Sequence, residues 1–166
     1  DRATVCIAID VSLSMEATDI DPSRLAAEKV AGQQFVDLLP AGFNVSLVSF
    51  AGYGTLLVPP TTDRGLVKRS IENLQLNSFT SIASGIDSCL DAMKLAPVDP
   101  KHPDQPPPGA IVLLSDGSTT VGRPSADAAA DAKKAQIPVF TIAYGTANGY
   151  VVQNGRREYV PVDKRE

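Results

Sequence analysis

Asp10, Ser12 and Ser14 place an oxygen-bearing side chain at every second position straight after the apolar run "VCIAI". Alternate residues of an extended loop can turn to the same side, so these three could meet at one point. Asp116 closes a second apolar run in "IVLLSDGS", and Gly117 behind it lets the turn bend sharply. Two carboxylates brought close repel unless a proton or a cation lies between them. Thr80, in "NSFTSIASG", is the best placed further hydroxyl, with Ser78 and Ser81 as alternatives. Such a set offers oxygen donors only, few formal charges and space for water. That suits Mg2+ or another hard divalent ion, with Mn2+ and Ca2+ as alternatives. Each piece also has a plainer use, because Asp and Ser after a strand are ordinary turn formers and Thr80 could simply cap a helix. The coincidence of all three at one edge of a sheet is what separates a site from three turns.

That edge follows from the order of elements. "TVCIAI" (4–9) is a short β-branched run of the kind buried on both faces. "DPSRLAAEKVAGQQFVDLLP" predicts a helix, with Asp21 or Ser23 as cap and a stripe of Leu25, Val30 and Val36 beside Ala26 and Ala27. Strands are predicted over 43–50 and 53–59. The two residues between them predict an antiparallel hairpin, and Pro59–Pro60 suits a sheet edge. A helix capped by Thr62 should present Leu66, Ile71 and Leu74, and one from Ile82 should present Ile82, Ile86, Cys89, Leu90 and Met93. "AIVLLS" reads as a buried strand, "PSADAAADAKKAQ" as a helix capped by Ser125, and "IPVFTIAYG" as a strand ended by Gly145. The order β-α-β-β-α-α-β-α-β predicts a doubly wound, mainly parallel α/β sheet with one antiparallel edge strand. Ligands of such sheets bind outside the carboxyl ends of the strands, where strand order reverses, and there Asp10 and Asp116 occupy equivalent positions. "YVVQNGRREYVPV" predicts a C-terminal hairpin through Asn154–Gly155. One domain over 1–166 is expected, with a core over 4–145 and the hairpin over 150–162.

Composition narrows the function. With 166 residues, 43% of them hydrophobic, the chain can bury a real core, and its net charge of −4 speaks against a nucleic-acid surface. The basic pairs Arg156–Arg157 and Lys164–Arg165 read as solvated surface. No apolar run approaches the roughly 18 residues that span a bilayer. The fragment itself is therefore expected to be soluble and to make no membrane contact. It starts with Asp rather than Met, which makes an excised or processed piece the expectation. Cys6 and Cys89 lie among apolar neighbours without a framework pattern, and buried free thiols are expected there, with a disulfide between them as the alternative. Zinc has no ligand set, since the chain has one histidine and no CxxC. "APVDPKHPDQPPPG" is an extended surface loop that should leave His102 exposed.

"IDVSLSM", "SFTSIASGI" and "LLSDG" resemble the three loops of the metal-ion-dependent adhesion site of von Willebrand factor type A domains. "RLAAEKVAGQQFVDLLP" and "VSLVSFAGYGTLLVPPTTDR" resemble the bacterial membrane-anchored branch, the Bat-type (aerotolerance) proteins. The resemblance implies a Rossmann-like fold and a protein-binding module without enzymatic activity. It also implies that Ser12 and Ser14 bind Mg2+ directly, Thr80 directly or through water, and Asp10 and Asp116 mostly through water. The remaining position would take an Asp or Glu of a protein partner. The parent would be anchored in the bacterial cell membrane, with an extracytoplasmic domain favoured, and linked to MoxR-type AAA+ ATPases. This chain departs from the pattern at Leu13, where the family usually has Gly, and it stops before the family's last helix. One alternative is a Mg2+-dependent phosphotransfer enzyme with a strand-end aspartate as nucleophile. Against it, Ser12 stands where haloacid-dehalogenase-type phosphatases carry a second acid, and no G-x-x-x-x-G-K-[ST] loop is present. The other alternative is a scaffold with a vestigial, metal-free site.

Overall fold

Along β1 (Thr4–Asp10), Val5, Ile7 and Ile9 alternate with Cys6, Ala8 and Asp10, and the two rows leave opposite faces of a sheet. Both rows are buried, so the strand must lie centrally and be covered on both sides. The computed structural model, which describes residues 3–105, 107–116 and 122–143 and the backbone of 150–153 and 156–159, places it there. The sheet comprises β2 (Asn44–Phe50), β3 (Gly54–Thr61), β4 (Gly109–Ser115) and β5 (Val139–Ala143) besides β1, in the order β3-β2-β1-β4-β5. All neighbours are parallel except β2 and β3, which form the expected hairpin. Pro59 and Pro60 lie within β3 at the sheet edge, opposite the point where the β2–β3 register shifts between Val45 and Leu47. Strand order reverses between β1 and β4, which leaves a crevice at their carboxyl ends.

Among the described residues, four helices cover the faces. α1 (Arg24–Leu38) and α2 (Arg64–Glu72) pack on the side of Ile7, Leu47 and Leu114. α3 (Ile82–Met93) and α4 (Ser125–Lys134) pack on the side of Ala8, Phe50 and Leu113. α3 approaches the sheet closely at Gly85, where a Cβ would come within 2.6 Å of Phe50 Cδ1. That approach sets the start of α3 over the ends of β1 and β2. β6 (Tyr150–Gln153) and β7 (Arg156–Tyr159) form a separate antiparallel pair, as the hairpin pattern predicts. Its turn at Asn154–Gly155, Gly117, Gly145 and the side chains of the basic pairs lie outside the described residues.

Several expectations need correction. α1 buries Arg24, Glu28, Gly32 and Val36, whereas Val30 is 55% exposed. The inward row repeats every four residues and carries charge near the sheet edge; of the expected stripe Val36 belongs to it, Leu25 packs partly buried against the core, and Val30 turns outward. α2 is capped by Asp63, whose Oδ1 accepts from Leu66 N–H at 3.1 Å, rather than by Thr62; Val67 and Ile71 point inward and Leu66 outward. Pro124 takes the cap position of α4, and Ser125 is its first residue.

Cys6 and Cys89 are buried as expected, but they are joined as a disulfide rather than free. β1 and α3 bring their Cα atoms to 5.7 Å, within the range a disulfide bridges, a proximity that two cysteines 83 residues apart do not announce. Closing so long a loop removes conformational freedom from the unfolded chain. Replacing both residues with alanine should lower unfolding free energy by about 3–5 kcal/mol, as read by urea denaturation of the oxidised protein. An unchanged midpoint would contradict that.

Candidate metal centre

The rows that fill the core supply the site. Ile9 pairs with Leu114, so the next residues, Asp10 and Ser115, stand side by side at the ends of β1 and β4. Ser115 Oγ donates to Asp10 Oδ2 at 2.6 Å, and Ser12 N–H donates to Asp10 Oδ1 at 2.8 Å. The second bond is an Asx turn that swings the chain off the strand into a 3-10 turn, Leu13–Glu16. Met15 anchors that turn in the core, leaving Leu13 outside and the Ser12 and Ser14 hydroxyls facing each other at 3.0 Å.

The loop before α3 is stitched to this turn. Asn77 forms a parallel bridge with Ser12, and its N–H donates to Val11 carbonyl oxygen at 2.7 Å. Ser81 N–H donates to Ala51 carbonyl oxygen at 2.6 Å, and Ser81 Oγ caps α3 by accepting from Ser84 N–H at 3.2 Å. Ser81 therefore does the capping that Thr80 could have done. Thr80 is buried in the same stretch, whereas Ser78 lies exposed.

Asp116 follows β4 and is fully buried. Its Oδ2 accepts from Arg24 Nη1 at 3.1 Å, while Arg24 Nε and Nη2 grip Asp19 at 2.8 and 2.9 Å. Arg24 and Asp19 are absent from the sequence-derived set, as are Ser115 and Glu28. "SRLAAEK" reads as the opening of an ordinary helix, and nothing local marks its arginine as buried.

Burial first, and then the charge of Asp116, push the Asp10 carboxyl from its ordinary 3.8 up to about 7, against the hydrogen bonds from Ser115 and Ser12. Glu28, one turn beyond Arg24, is buried with no hydrogen-bond partner on either carboxyl oxygen. Burial, with the charges of Asp10 and Asp116, holds its carboxyl well above the usual carboxylate range. Burial and mutual repulsion thus favour the protonated forms of Asp10 and Glu28, and ionising them here is costly without added positive charge.

A divalent cation fits these donors. Octahedral Mg2+ with oxygens at about 2.1 Å sets neighbouring ligands about 3.0 Å apart, and the two serine hydroxyls stand at 3.0 Å. No group of three or more His, Cys, Asp or Glu side chains among the described residues is arranged to hold a metal, so a cation here would depend on hydroxyls. His102 is in an exposed loop, its Nδ1 3.0 Å from Asp99 Oδ2.

Because Asp10 binds its proton more tightly folded than unfolded, its contribution to metal-free stability is full below 3.8 and lost as pH rises to about 7. Asp10→Asn keeps an oxygen for Ser12 N–H and removes the charge. At pH 8 in EDTA this variant should be more stable than wild type, on the order of 1–4 kcal/mol by urea denaturation. The gap should close toward pH 4. A less stable variant at pH 8 would refute the electrostatic account.

Comparison with known proteins agrees with this architecture. The model of the von Willebrand factor type A domain matches residues 5–118. The UPF0353 protein of Mycobacterium sp. (strain KMS) is 45% identical over 168 residues, covering 98% of this chain and 50% of that protein. The chain thus spans about half the length of the curated relatives it matches. Among solved structures, an aerotolerance-related membrane protein from Bacteroides fragilis superimposes with a TM-score of 0.78 at 26% identity, over 98% of this chain and 78% of that one. BatB from Bacteroides thetaiotaomicron gives 0.77 at 27% identity, over 98% and 77%. No helix among the described residues is long and apolar enough to cross a membrane. The chain belongs to the von Willebrand factor type A domain family.

Proposed function

We propose that this domain binds protein partners through a divalent cation, Mg2+ first, held by Asp10, Ser12, Ser14, Thr80 and Asp116. The observation that carries the reading is the pair of facing hydroxyls beside two buried carboxylates at one sheet edge. A cation there relieves the repulsion between Asp10 and Asp116 and keeps a position open for an Asp or Glu of the partner. One bridging carboxylate would complete the coordination shell and neutralise charge in a single contact. Mn2+ and Ca2+ are the alternatives. Within this role Ser12 and Ser14 hold the ion, Asp10 fixes the turn that presents them, and Arg24 steadies Asp116. Both Asp10 oxygens already accept hydrogen bonds, which favours an orienting role over nucleophilic attack on a phosphate.

The parent protein, in this proposal, is anchored in a bacterial cell membrane and presents the domain on the extracytoplasmic side. The buried Cys6–Cys89 disulfide supports that side, because such bonds persist in oxidising compartments. The likeness to an aerotolerance-related membrane protein supports the anchoring; a functional link to a MoxR-type AAA+ ATPase belongs to the same proposal.

Calorimetric titration of the metal-stripped protein should show saturable Mg2+ binding, and Mg2+ should raise Tm. In the Ser12→Ala, Ser14→Ala double variant both effects should vanish while the fold persists. Absence of heat and of any Tm shift in wild type up to about 10 mM Mg2+ would sink the proposal.

A further inference from the structure

Three large apolar side chains stand in water around the metal loops. Leu13, between Ser12 and Ser14, is 36% exposed; Tyr53, in the turn between β2 and β3, is 62% exposed; Phe79, next to Thr80, is 64% exposed. They come from three different loops, and those loops are tied to one another. Asn77 bridges to Ser12 and its Nδ2 donates to Tyr53 Oη at 3.2 Å. Gly52 N–H donates to Ser78 carbonyl oxygen at 3.1 Å, and a Cβ at Gly52 would sit 3.1 Å from the Phe79 Cβ. Other exposed apolar residues, such as Val30 and Leu38 on α1 and Phe140 on β5, lie outside these three joined loops.

Phe79 is the most informative of the three. Its φ is +64°, a left-handed conformation that a bulky residue rarely adopts. The fold gains little from the ring, which is mostly solvated. A strained backbone that carries an exposed aromatic ring beside a candidate ligand has a use outside the fold. Aromatic anchors ringed by polar groups are the usual form of a protein-binding centre.

Resting on the metal-dependent reading above, we propose that Leu13, Tyr53 and Phe79 form an apolar collar that selects partners whose acidic residue has a large apolar neighbour. The cation takes the carboxylate, and the collar takes the adjoining side chain. Charge complementarity fixes the first contact and the exposed collar the second, so the occupant is a protein segment of the type Asp-Phe or Asp-Leu.

The test uses the 166-residue chain, first titrated with Mg2+ by calorimetry so that metal binding is scored separately. Amide spectra are then followed by NMR with three blocked peptides, Gly-Asp-Phe-Gly, Gly-Asp-Gly-Gly and Gly-Asn-Phe-Gly. The Asp-Phe peptide should bind at least about tenfold more tightly than Asp-Gly, as burial of one aromatic side chain implies. EDTA should release it, and the Asn peptide should not compete. Phe79→Asn, which tolerates left-handed backbone, should retain Mg2+ affinity and lose most of the preference; Leu13→Ala should lower it. Equal affinity for the two Asp peptides, no binding by either in the metal-loaded protein, or a preference that survives Phe79→Asn would each overturn the collar. Concentration-dependent self-association through these residues would assign the surface to a second copy instead. Failure to bind Mg2+ at all would defeat the metal reading, and the collar proposal with it.

Discussion

Two carboxylates, Asp10 and Asp116, are buried side by side at the end of a hydrophobic sheet, and most of the surrounding structure answers the repulsion between them. Left alone, neither could stay ionised there without a large desolvation cost. The fold offsets it with Ser115 and the Ser12 amide on Asp10 and with the Arg24 guanidinium on Asp116. Arg24 is itself buried and is steadied by a bidentate grip on Asp19. Glu28 lies buried near both aspartates, with no hydrogen-bond partner on either oxygen among the described residues. On the same edge the Ser12 and Ser14 hydroxyls meet at 3.0 Å.

The positions of these groups come from register rather than from any special loop. β1 and β4 pair residue for residue up to Ile9 and Leu114, so the polar pair that follows is aligned by the same ladder that aligns the core. The chain then turns at once on an Asx hydrogen bond, and the approach of α3 at Gly85 brings the Thr80 loop over the same edge. Core packing and site geometry are one construction. A change that slips the β1 register would move Asp10 to the opposite face together with the whole apolar row.

Much of this was legible in the residues. Alternating apolar and polar types, helix punctuation and the β-α-β order lead to the doubly wound sheet, and D-x-S-x-S with "SDG" and Thr80 leads to its carboxyl edge. What stayed hidden depends on contacts between distant segments. Arg24 and Glu28 look like solvated helix residues until α1 is set against the sheet, where the inward row turns out to be charged. Ser115 reads as the last residue of a strand, yet its hydroxyl holds Asp10. Cys6 and Cys89 could not be paired by spacing, because only the packing of α3 on β1 brings them together. Leu13 is marked in the sequence as a departure, but Tyr53 and Phe79 carry no such mark, and the shared exposure of the three emerges only once three loops are joined.

The disulfide has a further consequence, in terms of mechanical load. A protein gripped at its metal loops and tethered elsewhere would feel tension along the strand axis. That tension would enter through β1, which ends at the Asp10 loop, and through α3, which begins beside Thr80. The Cys6–Cys89 bond joins those two elements inside the core, below the site. They must then bear force together, since sliding of α3 along β1 would require breaking a covalent bond. The bond closes residues 7–88 into one loop, so a pull at the Asp10 or Thr80 end is met where the strand and the helix are pinned together.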